Sequence, residues 1–224
     1  MQDLSLEMAK AVRRFEPIET EGLTLYPIQV KDIDEFTTAR PAIEFMQQSL
    51  PVAMLSKPLL QAYYTLELDA AKNGQPGSGL FYKCILFLLL AMRVGNGLPS
   101  EKRIELVDLE LQANDPTRLK SVLIFANGEV KRITPMQFQR LRPILAAQNG
   151  IELVSENANP ELVQAERDLA EMNAPKLQYR VETLKATIAT FSGADEADME
   201  EWPILKLLLR RDAVQRLAGY ITCI

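Results

Sequence analysis

The sequence predicts an α+β protein in which helices dominate: a helical body carrying a small antiparallel β-hairpin and a three-stranded element, followed by a C-terminal helical module. Three observations predict it. Apolar residues recur at helical intervals through most of the chain, β-branched and aromatic residues gather in only two extended regions broken by turn residues, and Leu80 to Val94 is apolar nearly all round, as a helix enclosed by others must be. A chain of 224 residues, 47% hydrophobic and 25% charged, has the ordinary mix of a soluble globular protein and is long enough to bury a sizeable core.

The elements follow in order. Leu4, Met8, Ala11, Val12 and Phe15 mark a short opening helix that Pro17 stops. Ile18 to Ile28 carries β-branched and aromatic residues around Glu21-Gly22, the pattern of a small hairpin. From Val30 a helical pattern runs through Ile33, Phe36, Ala39, Ile43 and Phe45, and Pro41, Pro51 and Pro58 are expected to cut the region up to Lys72 into short helices. Asn73 to Gly79 reads as a loop, and the central helix Leu80 to Val94 should end at Gly95-Asn96-Gly97. Three extended runs follow, Ile104 to Leu111, Leu119 to Ala126 and Val130 to Ile133, the last two joined by the hairpin signal Asn127-Gly128. Thr134-Pro135-Met136-Gln137 supplies an N-cap, a proline at the first helical position and a capping-box glutamine for a helix ending at Asn149-Gly150.

Residues 151–159 are polar and turn-prone, which divides the chain into a body, 1–150, and a C-terminal helical module, 151–224. Within that module Asn159-Pro160 caps a helix to about Met172, Ala174-Pro175 interrupts, Leu177 to Phe191 is helical again along Leu177, Val181, Leu184, Ile188 and Phe191, and a last helix starts near Trp202-Pro203.

Composition narrows the function. Histidine is absent, which removes the commonest general base near neutral pH and the commonest metal ligand. Cys84 and Cys223 are the only cysteines, too few for a disulfide framework or a cysteine-rich zinc site. A net charge of −5 from 30 acids and 25 bases suits solubility, whereas phosphate-backbone binding needs a basic stripe, so no nucleic-acid partner is expected. The first residues lack a basic n-region and apolar h-region, and the most apolar stretch falls short of the roughly 20 residues that span a bilayer. A cytoplasmic protein with no membrane partner is expected.

Each candidate motif for chemistry fails. Gly74 and Gly79 stand at the spacing of a phosphate-binding loop, but Leu80 and Phe81 occupy the lysine and hydroxyl positions and the preceding segment reads as helix. The acids Asp195, Glu196, Asp198, Glu200 and Glu201 do not have calcium-loop spacing; they precede a helix bearing Lys206, Arg210, Arg211 and Arg216, so they complement its dipole. Asp32, Asp34 and Glu35 take the same reading at an earlier helix start. Tyr63-Tyr64 and Phe81-Tyr82 lack the interleaved bases of a base-stacking platform. The expectation is a protein that is not an enzyme and takes no cofactor or metal.

The last helix is different. Ile204, Leu207, Leu208, Val214, Leu217, Ala218 and Ile221 form one apolar stripe, Leu205 and Leu209 lie off it, and the chain closes on the apolar run Tyr220 to Ile224. Residues 194–224 are therefore expected to be a deletable arm that binds a partner or self-associates into a homo-oligomer, through Leu205, Leu209, Lys206, Arg210, Arg211, Arg216, Tyr220 and Ile221.

The stretch Gly22-Leu23-Thr24-Leu25-Tyr26-Pro27-Ile28 leading into Asp32-Ile33-Asp34-Glu35-Phe36, the turn Gln48-Ser49-Leu50-Pro51-Val52, and Glu201-Trp202-Pro203 before a basic, apolar helix ending Tyr220-Ile221 resemble tail assembly chaperones of phages and prophages of Gram-positive hosts. The resemblance implies a cytoplasmic assembly factor, absent from the mature virion, that coats the long tape measure protein and recruits tail tube subunits. It also implies paired short and long forms made by translational frameshifting, of which the apolar end resembles a short or truncated form. A head-tail connector or other phage structural protein is one alternative. An inhibitor of a host defence system acting as an acidic decoy of DNA is another, and the mild charge balance counts against it.

Overall fold

A computed structural model describes residues 4–126, 128–154, 161–162, 165, 168–169 and 181–222, with side chains described as far as residue 216. It is a helix-dominated α+β structure with a two-stranded hairpin and a three-stranded antiparallel sheet, as the sequence predicts. No helix among the described residues is long and apolar enough to cross a membrane.

Helix α1 (Leu6–Arg14) starts behind Ser5, whose hydroxyl accepts the Met8 N–H, and ends where Phe15 turns left-handed at φ 59°. Strands β1 (Ile18–Thr20) and β2 (Leu23–Leu25) pair around Glu21 and Gly22, which take positive φ of 54° and 75°, the requirement of a two-residue turn matching strand twist. The hairpin buries Ile18, Leu23 and Leu25. After a 3-10 turn at Val30–Asp32, α2 (Ile33–Glu44) runs straight through Pro41, which was expected to cut it. A proline inside a helix costs about 3 kcal/mol; burial of Phe36 and Ile43 at about 1.5–3 kcal/mol each outweighs it, and Pro41 sits on the exposed face. Arg142 closes the end of α2 by donating from Nε to the Ile43 carbonyl (2.9 Å) and from Nη2 to that of Phe45 (2.6 Å). Pro51 and Pro58 do interrupt the chain, leaving 3-10 turns at Gln47–Ser49 and Val52–Met54 before α3 (Leu59–Lys72).

Helix α4 (Leu80–Ala91) is the centre of the molecule. Every residue from Cys84 to Ala91 is buried. Phe36 of α2 lies 5.8 Å from Phe87, and Tyr63 of α3, fully buried, donates its hydroxyl to the Ala42 carbonyl at 2.7 Å. Burial drives the Tyr63 and Cys84 pKa values well above their usual ranges, so both stay neutral. The helix ends three residues earlier than expected: the Tyr26 N–H, just past β2, takes the Ala91 carbonyl at 2.7 Å, and Arg93 turns left-handed at φ 55°. Its guanidinium lies over the Tyr26 ring, 4.5 Å from the centroid.

The expected strand from Ile104 begins instead as a short helix, α5 (Ser100–Ile104), behind Pro99. Its reason is Arg103, 2% exposed, which donates from Nε to the Leu98 carbonyl (2.9 Å) and from Nη2 to Asp32 (2.8 Å) at the entry of α2. Breaking such a buried pair by removing one partner costs about 3–5 kcal/mol. Strands β3 (Val107–Gln112), β4 (Asp115–Ala126) and β5 (Glu129–Ile133) then form the antiparallel sheet in the order β3-β4-β5. Strand β4 starts before the expected Leu119 and carries Pro116, tolerated because the β3–β4 register slips at Glu110 to Gln112.

Helix α6 (Pro135–Gln148) opens with the expected capping box: Thr134 Oγ1 accepts the Gln137 N–H at 3.2 Å and Gln137 Oε1 accepts the Thr134 N–H at 2.9 Å. At its end Asn149 is buried and accepts the Ile28 N–H at 2.9 Å, while Gln148 donates to the Leu25 carbonyl at 3.2 Å. Residues 161, 162, 165, 168 and 169 are helical; residues 155–159, Ala174-Pro175 and Leu177, on which the expected boundary and helix break fall, lie outside the described residues. Helices α7 (Val181–Ser192) and α8 (Ile204–Thr222) complete the chain.

Replacing Leu88 or Phe87 by aspartate should abolish soluble expression or lower the melting temperature drastically, because an unpaired buried charge costs several kcal/mol against a total stability of about 5–15. An unchanged melting temperature for both variants would show that α4 is peripheral.

Candidate partner-binding site at the C-terminal helices

The start of α8 is sewn to the body. The Val30 N–H donates to the Trp202 carbonyl and the Ile204 N–H to the Ile28 carbonyl, both at 2.9 Å, bridging Gln29 to Pro203. Glu201 accepts from Lys31 Nζ (2.8 Å) and Gln29 Nε2 (2.7 Å). The hydrogen bond from Lys31 holds the Glu201 carboxyl below the ordinary carboxylate range, so this clasp contributes stability above that range and is lost as pH falls through the lowered value. Of the other acids in the cluster, Glu200 pairs with Lys185 of α7 and Asp195 accepts the Ala197 N–H at 2.9 Å. Among the described residues no group of three acidic or cysteine side chains is placed to hold a metal ion.

The eight residues singled out from the sequence do not converge on one surface. Leu205 is half-buried against Gly150, where a Cβ would stand 3.0 Å from Leu205 Cδ1; the left-handed φ of 67° and this contact both call for glycine. Lys206 lies over the Trp202 ring at 3.8 Å from its centroid. Leu209 is 54% exposed, and Arg210 and Arg216 are exposed with no ion pair among the described residues. Arg211 turns to its neighbour Asp212, with Nε 2.9 Å and Nη2 2.8 Å from Oδ1. Tyr220 and Ile221 belong to α8, but their side chains lie outside the described residues.

What the fold builds between α7 and α8 is an open cleft of about 120 Å³ lined by Leu184, Thr187, Ile188, Phe191, Arg211, Val214 and Gln215. Apolar side chains make its floor, Phe191 stands half out of it, and Arg211 supplies its charge. Of those eight residues only Arg211 lines it. The helical stripe of Leu184, Ile188 and Phe191 was visible, but a stripe signals only that a face is apolar. Whether a neighbour fills it depends on how the two helices cross.

The other candidates are spent on structure. Ser78 of the glycine loop donates to Glu67 at 2.7 Å and accepts the Leu80 N–H, joining α3 to α4. Tyr64 donates to the Pro116 carbonyl and packs on Phe81 with 5.5 Å between centroids. No protein-family model, curated protein or solved structure matches the chain.

The expected arm at 194–224 is in its first half part of the core: Met199 and Leu207 are fully buried and Ile204 is 1% exposed. Deleting 194–224 should therefore lower stability by several kcal/mol, since each large buried side chain contributes about 1.5–3. Leu209→Glu should move it by less than about 0.5 kcal/mol. Denaturant titration separates the two; a deletion variant as stable as the parent would show that the stitch at 28–31 is dispensable.

Proposed function

We propose that this protein is a non-enzymatic assembly chaperone of the phage tail kind, acting in the bacterial host cytoplasm, which holds the tape measure protein and helps recruit tail tube subunits. The observation that carries the reading is the cleft between α7 and α8, an apolar trough in a helix pair with Arg211 on its wall. An amphipathic client helix docks into such a trough by laying apolar side chains spaced one turn apart along it. The resemblance of Gly22 to Phe36, Gln48 to Val52 and Glu201 to Ile221 to tail assembly chaperones gives that client its identity.

Co-expression with a phage tape measure protein tests the reading. A complex that co-purifies with the client, and a chain absent from purified particles, are expected. A chain that persists in the particles would instead be a structural part such as a head-tail connector, and a client that purifies alone would remove the chaperone reading.

A further inference from the structure

We propose that the cleft between α7 and α8 recognises one specific pattern in its client, an aliphatic or aromatic anchor with a carboxylate about one helical turn away, and that Arg211 reads the carboxylate. The inference rests on the client-binding reading above and adds its chemistry. The cleft's volume of about 120 Å³ limits how much enters: an apolar cavity of about 150 Å³ takes a single benzene ring, so this open cleft takes one apolar side chain at most. The walls given by Leu184, Ile188, Phe191 and Val214 offer that side chain an apolar surround, and Thr187 and Gln215 mark the rim.

Charge decides the second half of the pattern. Helix α8 carries Lys206, Arg210, Arg211 and Arg216 against the single acid Asp212, in a chain whose net charge is −5. Lys206 is committed to the Trp202 ring, and Arg210 and Arg216 lie outside the residues that line the cleft. Arg211 alone both lines it and carries charge. Its partner is the adjacent residue of its own helix, and the two side chains are 39% and 46% exposed. An exposed ion pair of this kind contributes about 0–1 kcal/mol, so a client carboxylate held beside the anchor can take the guanidinium from Asp212 at little cost. Positions three or four apart on a helix stand about 5–6 Å from one another, and Val214 and Arg211 are three apart on α8. An anchor against Val214 therefore brings a carboxylate one turn along the client helix to Arg211. A lysine placed there meets the Arg211 guanidinium and weakens binding.

Two synthetic helical peptides with the same leucine stripe test this, one with glutamate and one with lysine beside each leucine, titrated by fluorescence anisotropy into the full chain. The acidic peptide should bind at least fivefold tighter than the basic one, with the difference shrinking as salt rises. Arg211→Glu should invert the order of the two peptides, and Asp212→Asn should tighten the acidic peptide. Val214→Phe, which fills the cleft from within, should abolish binding of both peptides without lowering the melting temperature. Equal affinities for the two peptides, no binding of either, or full binding by Val214→Phe would overturn the inference. Should Arg211→Glu and Val214→Phe both keep co-purifying with the tape measure protein, the cleft is not the recognition site while the chaperone reading stands; should the parent chain fail to co-purify, that reading falls on its own account.

Discussion

Helix α4 has no face left for water. From Cys84 to Ala91 eight consecutive residues are buried, and a helix with that perimeter is stable in water only if other elements enclose it on every side. The rest of the structure answers that constraint. Helix α2 lies along one side with Phe36 against Phe87, Tyr63 of α3 locks α2 and α3 together through the Ala42 carbonyl, and Tyr26 closes the C-terminal end by donating to Ala91. The enclosure also explains why Pro41 does not break α2, since apolar contact along the buried face outweighs one lost backbone hydrogen bond on the exposed face.

Enclosing a helix with segments distant in sequence requires that each be fixed in place, and buried polar groups do this. Asn149 at the end of α6 holds Ile28, Arg103 of α5 holds the entry of α2 through Asp32, and residues 28–31 pair with 201–204 to fix the start of α8 on the body. These contacts bridge 71 to 176 positions of sequence. They give direction where apolar contact gives only adhesion. The cleft follows from this arrangement, because α8 is anchored at its first turn by Ile204 and Leu207 and meets α7 further along, where Val214 and Ile188 stand on either side of unfilled space.

Much of the fold was legible because local rules and tertiary packing agree. Thr134 to Gln137 form the capping box that their identities specify, Glu21-Gly22 makes the turn its left-handed conformations require, and α4 is as buried as its composition demands. The departures occur where a distant partner overrides the local signal. Pro41 looked like a stop because the burial of α2's opposite face cannot be read from its neighbours. The run from Ile104 looked extended, and only the Asp32 carboxylate and the Leu98 carbonyl make the neighbouring Arg103 a buried strut in α5. At the candidate site the cationic character of α8 was legible, but the equivalence of Leu205 and Leu209 was not real. Gly150 receives one and solvent surrounds the other, a distinction set by the crossing of α6 and α8.

On the proposed reading, the client is held at the α7–α8 pair. Hydrogen–deuterium exchange of the full chain, alone and with the tape measure protein bound, tests it most directly, because slowed amide exchange locates the elements that a partner stabilises. Protection should rise in residues 184–191 and 211–215 and stay unchanged in α4 and in the β3–β5 sheet. Protection confined to the sheet or to the turns at 47–54, with α7 and α8 exchanging as they do alone, would contradict it.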